Sequence, residues 1–208
     1  MRLDAVTIGM FRNFVDDQRI AIEPDVTCLV GKNESGKTTI LKALHRLNPA
    51  NGHDNKFDLT EEYPRWRLAA DRRQNPNLAA ETEPVRAEFS LSDDDRSALE
   101  PIYGVKIPES CVCRAARNYA NQASAWLEST VADAARAVAS STGVTDEDLA
   151  ALNLSGSLAE AIAGAKALAK EHRDSGDSAR AKSLTSFATE IEKYAVLVDP
   201  SQAKIGRA

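Results

Sequence analysis

The spacing of apolar residues changes character along this 208-residue chain. Near the start the period is two. Val6, Ile8 and Met10 alternate, and Ile20 and Ile22 alternate after the polar turn Val15-Asp16-Asp17-Gln18. Such alternation sets one face of a strand on a core and the other in water, so residues 5–22 predict two strands. Val26-Thr27-Cys28-Leu29-Val30 is a continuous run, the mark of a strand buried on both faces. Beyond residue 39 the period becomes 3.6, with Ile40, Leu41, Leu44 and Leu47 on one helical face. Asn48-Pro49 closes that helix, because the residue before a proline avoids the helical region.

Residues 50–84 are polar, contain Pro64, Pro76 and Pro84, and read mainly as loop. Val85, Ala87, Phe89 and Leu91 alternate with polar partners and predict a half-buried strand. Ser92-Asp93-Asp94-Asp95 reads as a helix cap leading into Arg96–Glu100, and a further strand is expected over Cys111–Arg117. Near residue 121 the chain turns Ala-rich and helical. Thr145-Asp146-Glu147-Asp148 and Ser157-Leu158-Ala159-Glu160 have capping-box spacing. Leu184, Phe187, Ala188, Ile191, Ala195 and Val198 recur at helical spacing. The expected organisation is a mixed α/β part over 1–120 and a helical part over 121–208, with no exact internal repeat.

Between the buried run and the first helix stands Gly31-Lys32-Asn33-Glu34-Ser35-Gly36-Lys37-Thr38, which fits G-x-x-x-x-G-K-[ST], the phosphate-binding loop of nucleoside triphosphatases. A triphosphate needs several backbone N–H groups aimed at it, and a helix N-terminus supplies them with a favourable dipole. Gly31 and Gly36 let the backbone turn sharply and come close to phosphate. Lys37 would reach the β- and γ-phosphates, and the Thr38 hydroxyl would ligate Mg²⁺. The expected ATP-binding set is Gly31, Lys32, Asn33, Glu34, Ser35, Gly36, Lys37, Thr38 and Thr39, with Thr38 as the metal ligand.

Bulk composition adds little. A hydrophobic fraction of 43% and a charged fraction of 27% are ordinary for a water-soluble domain. The net charge of −5 excludes polyanion binding by overall charge, so DNA contact would need a local patch such as Arg65, Arg67, Arg72 and Arg73. The N-terminus lacks the apolar core of a signal peptide, and no run approaches the length of a membrane span. Cys28 is expected in the core, and Cys111 and Cys113 on one face of a strand as buried thiols. Two such ligands do not make a zinc site, and a reducing, cytoplasmic setting fits all three.

The loop is of a particular kind, Gly-x-Asn-x-Ser-Gly-Lys-Thr, and Phe11-Arg12-Asn13-Phe14 stands upstream of it. Together they resemble the N-terminal head segment of the ABC-type ATPases that act on DNA, the RecF, SMC and Rad50 group. The wording from Leu29 to Thr39, with Tyr63-Pro64-Arg65 and with Val85–Leu91 followed by Asp93-Asp94-Asp95-Arg96, is most similar to the OLD-family predicted ATP-dependent endonucleases. The resemblance covers about residues 1–120. It implies an α/β P-loop NTPase fold, the N-terminal part of an ABC-ATPase head with an antiparallel β lobe, followed by an α-helical arm. It further implies that Arg12 and Asn13 lie close to the nucleotide, that heads pair as a homodimer, and that the parent protein acts on DNA.

Three parts that the resemblance leads one to expect are not evident. For the acidic motif after four apolar residues the candidate is Ala195-Val196-Leu197-Val198-Asp199, which is followed by Pro200 and keeps the helical period of 184–191, so it reads as a helix end. Leu154-Ser155-Gly156-Ser157 suggests the signature loop of a partner subunit, yet reads as a capped helix start. No residues remain for a Toprim nuclease module. The expectation is an N-terminal portion of a longer protein, with no catalytic residue assigned. Such a chain would be either an ATP-binding piece of a DNA-processing ATPase or a nucleotide-binding regulatory or assembly module without turnover.

Overall fold

The computed structural model describes residues 1–33, 35–48 and 56–199. Within them the chain forms two compact units. The first comprises Met1–Ser90 and Cys113–Trp126; the second comprises Leu91–Val112 and residues 127–199.

The first unit is α/β. Strands β1 (Arg2–Ile8), β2 (Gln18–Ala21), β3 (Val85–Ser90), β4 (Val112–Arg117) and β5 (Ala123–Glu128) lie in one sheet in the order β2-β1-β3-β4-β5. β1 runs antiparallel to both neighbours, with Val6 opposite Ile20 and Ala87, and a register shift between Leu3 and Ala5. The alternating apolar residues of β1 and β3 do what their period requires: Val6, Ile8, Val85 and Ala87 are fully buried. On that face packs helix α1 (Lys37–Leu47), which buries Ala43 and lays Ile40, Leu44 and Leu47 against the core.

Several expectations are corrected. Val26–Val30 is not a strand: Val26 and Val30 are 72% and 91% exposed, and Cys28 is exposed rather than in the core. An apolar run becomes a buried strand only beside partners that satisfy its backbone, and this run pairs with none among the described residues. Leu41, expected on the buried face of α1, is 58% exposed. The segment expected as loop contains α2 (Leu59–Glu62), α3 (Arg65–Gln74) and α4 (Leu78–Glu81), while Pro49–Asn55 lie outside the described residues. Residues 123–128, expected to be helical, form β5 and bury Trp126 and Leu127.

The second unit is helical. α5 (Asp93–Tyr103) begins with a reciprocal capping box between Ser92 and Asp95. α6 (Val131–Thr142), α7 (Asp146–Ala151), α8 (Leu158–Asp174), α9 (Ser178–Glu192) and α10 (Ala195–Val198) follow. Thr145 caps α7 and Ser157 caps α8 through their side chains, as their spacing predicts. α8 and α9 pack together, burying Leu184 and the small residues Ala161, Ala165, Ala181 and Ala188 that allow close approach. Ala195–Val198 is a helical turn with Asp199 at its C-terminal cap, in keeping with its helical period.

Candidate functional site

The glycine-rich loop leads into α1 through Gly36, whose φ of 95° is left-handed and whose position carries no side-chain cap. A glycine is required there on two counts. Only glycine adopts that conformation without strain, and an added Cβ would lie 2.7 Å from Phe14 Cζ and 3.0 Å from Asn13 Nδ2. At Gly31 a Cβ would lie 2.7 Å from Ser35 Oγ. The first turn of α1 has no acidic residue, so its N–H groups and dipole are left for an anion.

Lys37 folds back over the loop. Its ammonium donates to the carbonyl oxygens of Gly31 and Lys32, both at 2.7 Å, and to Ser35 Oγ at 3.3 Å. A turn bond from Ser35 N–H to the Lys32 carbonyl holds that curl at 3.2 Å. Lys32, Asn33, Ser35 and Thr38 are exposed, and Thr39 is half-buried. The Thr38 hydroxyl makes no hydrogen bond among the described residues, so a free oxygen stands on the first turn of the helix. Mg²⁺ in nucleotide sites keeps several waters and takes few protein ligands beside the phosphates, and one free hydroxyl suits that donor set. No cluster of three His, Cys, Asp or Glu that could hold a metal occurs among the described residues. Glu34 lies outside them.

Phe11-Arg12-Asn13-Phe14 closes on itself, with Phe11 N–H donating to the Phe14 carbonyl and Phe14 N–H to the Phe11 carbonyl, each at 2.9 Å. Arg12 sits at its tip with a φ of 55°, a region a non-glycine residue enters only when its surroundings hold it there. The turn thus brings Asn13 and Phe14 against Gly36. It sends the Arg12 guanidinium elsewhere, to Glu62 at 2.8 Å.

Glu62 is the centre of a polar network that sequence reasoning missed. It is 4% exposed, and its carboxylate takes Arg12 on one oxygen and Arg46 on the other. Arg46 lies 5.9 Å from the Phe11 ring centroid and 5.5 Å from that of Phe57, so both guanidiniums are packed as well as paired. Two arginines on one acid are what keep a buried carboxylate tolerable. The Arg12 N–H also donates to the Glu62 carbonyl at 2.6 Å, and the Tyr119 hydroxyl donates to the Met10 carbonyl at 2.6 Å. Burial, reinforced by the nearby Glu62 charge, pushes the Tyr119 hydroxyl well above its ordinary value. Beside the network opens a cleft of about 600 Å³ lined, among the described residues, by Arg12, Arg46, Asp58, Glu61, Glu62, Tyr63 and Arg65 and by none of the phosphate loop. The sequence offered one cue to α2 here: Asp58 stands where a helix cap belongs, and its carboxylate accepts from the N–H groups of Thr60 and Glu61.

The two doubtful motifs are resolved as ordinary helix ends. Gly156 and Ser157 form the capped start of α8, and Asp199 terminates α10.

Comparison with known proteins adds the following. The sequence model of a family described as an AAA ATPase domain matches residues 1–126. The DNA replication and repair protein RecF of Halalkalibacterium halodurans is 32% identical over 66 residues, which are 32% of this chain and 17% of that protein. RecF of Ligilactobacillus salivarius is 36% identical over 58 residues, 28% of this chain and 15% of that protein. The matched stretch is thus only a small share of the length of these relatives. A solved SMC ATPase structure superposes with a TM-score of 0.32 at 18% identity, covering 61% of this chain and 69% of that one.

Proposed function

The chain belongs to the AAA ATPase domain family, and from that premise we propose that it binds ATP with Mg²⁺ in the loop 31–39, as the nucleotide-holding part of a DNA-processing ATPase of the RecF and SMC kind. The observation that carries this reading is the Lys37 ammonium, held by loop carbonyls above an uncapped helix N-terminus at which Gly36 is required by its backbone conformation and close contacts. Those carbonyls are neutral. Exchange for phosphate oxygens would give the ammonium a charged acceptor in place of a neutral one, adding ion-pair attraction to the hydrogen bond. Thr38, the phosphates and water would hold Mg²⁺, and the ion would neutralise the triphosphate charge. Asn13, against Gly36, supports a place for the first turn beside the nucleotide; Arg12 would join it only by leaving Glu62.

The second reading, binding without turnover, is favoured by one feature. Phosphoryl transfer needs a positioned water and charge neutralisation at the γ-phosphate, and the acidic residue that could have supplied part of this, Asp199, ends a helix rather than a strand. We therefore assign the chain nucleotide binding and assign no residue of it to hydrolysis. The OLD-like wording of the loop, pairing of heads as a homodimer, and DNA as substrate of a larger assembly belong to the same proposal, supported by the RecF relatives for DNA. A reducing, cytoplasmic setting fits the three cysteines. Among the described residues no helix is long and apolar enough to cross a membrane.

Calorimetric titration with Mg-ATP tests the assignment: wild type should bind and Lys37→Ala should bind markedly less. Equal affinities would remove the phosphate loop from the proposal.

A further inference from the structure

Helix α3 presents an outward face that the core does not use. Its sequence, Arg-Trp-Arg-Leu-Ala-Ala-Asp-Arg-Arg-Gln, contains no fully buried residue. It is fastened along one side only. Leu68 packs on the core of the first unit, and Asp71 takes the Tyr63 hydroxyl at 2.6 Å and pairs with Arg67. At 100° per residue, Trp66, Ala69, Ala70 and Arg73 fall on the opposite side, with Arg65 and Arg72 on its flank, and all six are exposed. Trp66 is 76% exposed, so the ring is open to a ligand. Its neighbours one turn on, Ala69 and Ala70, are small and leave the ring accessible.

The charge of this helix is opposite to that of the chain. Four arginines against Asp71 give it +3, while the whole chain carries −5. Arg72 and Arg73 have no ion-pair partner among the described residues. The pair Arg65–Glu61, at 3.2 Å, joins two side chains that are 78% and 66% exposed, and such a pair is weak enough for a phosphate to displace. Arg67 already lies 5.7 Å from the Trp66 ring centroid, so the indole is oriented by a cation. An accessible indole between guanidiniums is the combination that stacks an unpaired base and neutralises its phosphates. A duplex offers no exposed base face to it, and an acidic peptide has no use for the ring.

We propose that the exposed surface of α3 binds single-stranded nucleic acid, with a base stacked on Trp66 and phosphates held by Arg73 beside it and by Arg65 and Arg72 on the flank. This deepens the DNA-related reading above and rests on it for its biological sense, but it requires neither ATP nor Lys37.

The protein has two tryptophans, and Trp126 is 9% exposed, so a Trp126→Phe background leaves intrinsic fluorescence reporting on Trp66. Full-length protein, without nucleotide, is titrated with oligothymidylate of about 16 nucleotides, the upper site size for a single binding module. The same strand as a duplex and heparin serve as comparators. Expected are quenching of Trp66 fluorescence by the single strand, and preference for it over duplex and heparin. Trp66→Ala, followed by anisotropy of a labelled strand, should lose roughly 5- to 150-fold in affinity, and Trp66→Phe should recover most of it. Arg72→Ala with Arg73→Ala should lower the salt slope by about 1.4. Lys37→Ala should bind the strand like wild type, which separates this result from the fate of the phosphate loop. Equal binding of heparin or duplex without quenching, an unchanged affinity in Trp66→Ala, or no binding at all would each overturn the proposal.

Discussion

Replacing Gly36 by alanine should damage the protein twice, and the two losses can be measured apart. The first is conformational. Gly36 has a φ of 95°, where an L-residue pays about 1–2 kcal/mol. The second is steric. The new methyl would stand 2.7 Å from Phe14 Cζ and 3.0 Å from both Phe14 Cε2 and Asn13 Nδ2. The Phe14 ring is packed against the core of the first unit, so overpacking should cost a further 1–3 kcal/mol or so. The sum is about 2–5 kcal/mol, or a fall in Tm of roughly 5–15 °C for a chain of this size. Trp66 and Trp126 both lie in the first unit, so tryptophan fluorescence during urea unfolding follows the half of the molecule that contains the loop. Phe14→Ala should remove only the steric part: in that background Gly36→Ala should cost no more than the conformational 1–2 kcal/mol or so. Mg-ATP binding should be lost in the single variant, because the loop must move to admit the methyl. A Gly36→Ala protein with wild-type stability, or the same cost in both backgrounds, would refute the tight contact of the Phe11–Phe14 turn with the start of α1.

Lys37→Ala should weaken Mg-ATP binding by roughly 10- to 150-fold, the loss of one charge-assisted contact worth about 1.5–3 kcal/mol, read by calorimetry. Thr38→Val should bind ATP with an affinity that no longer responds to Mg²⁺; an unchanged response would show that its hydroxyl is not a metal ligand. Steady-state phosphate release by the purified chain should stay below about 1 s⁻¹, and faster release that vanishes in both Lys37→Ala and Asp199→Asn would show a complete hydrolytic site. In the second unit, burial raises the pKa of Asp148, but hydrogen bonds from Arg180, Thr145 and His172 outweigh it and hold the carboxyl below its ordinary value. Its stabilisation is therefore full above about pH 4 and lost as pH falls through the lower folded value. Asp148→Asn should cost about 1.5–3 kcal/mol at pH 7 by circular dichroism of the helices, with the gap to wild type narrowing in acid; a gap independent of pH would contradict the ionised pair.

What the sequence disclosed and what it hid follow from how far each signal reaches. Strands β1 and β3 were legible because half-buried strands must alternate, and the caps at Ser92, Thr145 and Ser157 were legible because a cap is satisfied within four residues. α3 was hidden because it offers the core one apolar residue, Leu68, and is otherwise anchored through Asp71, a contact no periodicity records. β5 was hidden in Ala-rich composition, its two buried residues Trp126 and Leu127 adjacent rather than alternate. Glu62 gave no sign of itself: an acid in a polar stretch reads as surface, and only the fold brings Arg12 and Arg46, 50 and 16 residues away, to its two oxygens. The phosphate loop was legible in full as a pattern. The run before it was misread, since an apolar run specifies burial only when a partner strand is at hand.

That misreading changes how the site is supported. A loop that followed a paired strand would be fixed by the strand's hydrogen-bond ladder. Here residues 26–30 have no ladder among the described residues, and Val30, next to Gly31, is almost wholly exposed. What positions the loop lies on its other flank. α1 is held to the sheet by Ala43 and its half-buried leucines, Gly36 is pressed by Phe14 and Asn13, and the turn bearing those two residues is tied through Arg12 to Glu62 and thence to Arg46 near the far end of α1. The Glu62 network therefore clamps both ends of the helix whose N-terminus would hold the phosphates. A substrate site of this kind depends on geometry held to fractions of an ångström, and in this chain that geometry rests on a buried acid far from the phosphate loop in sequence.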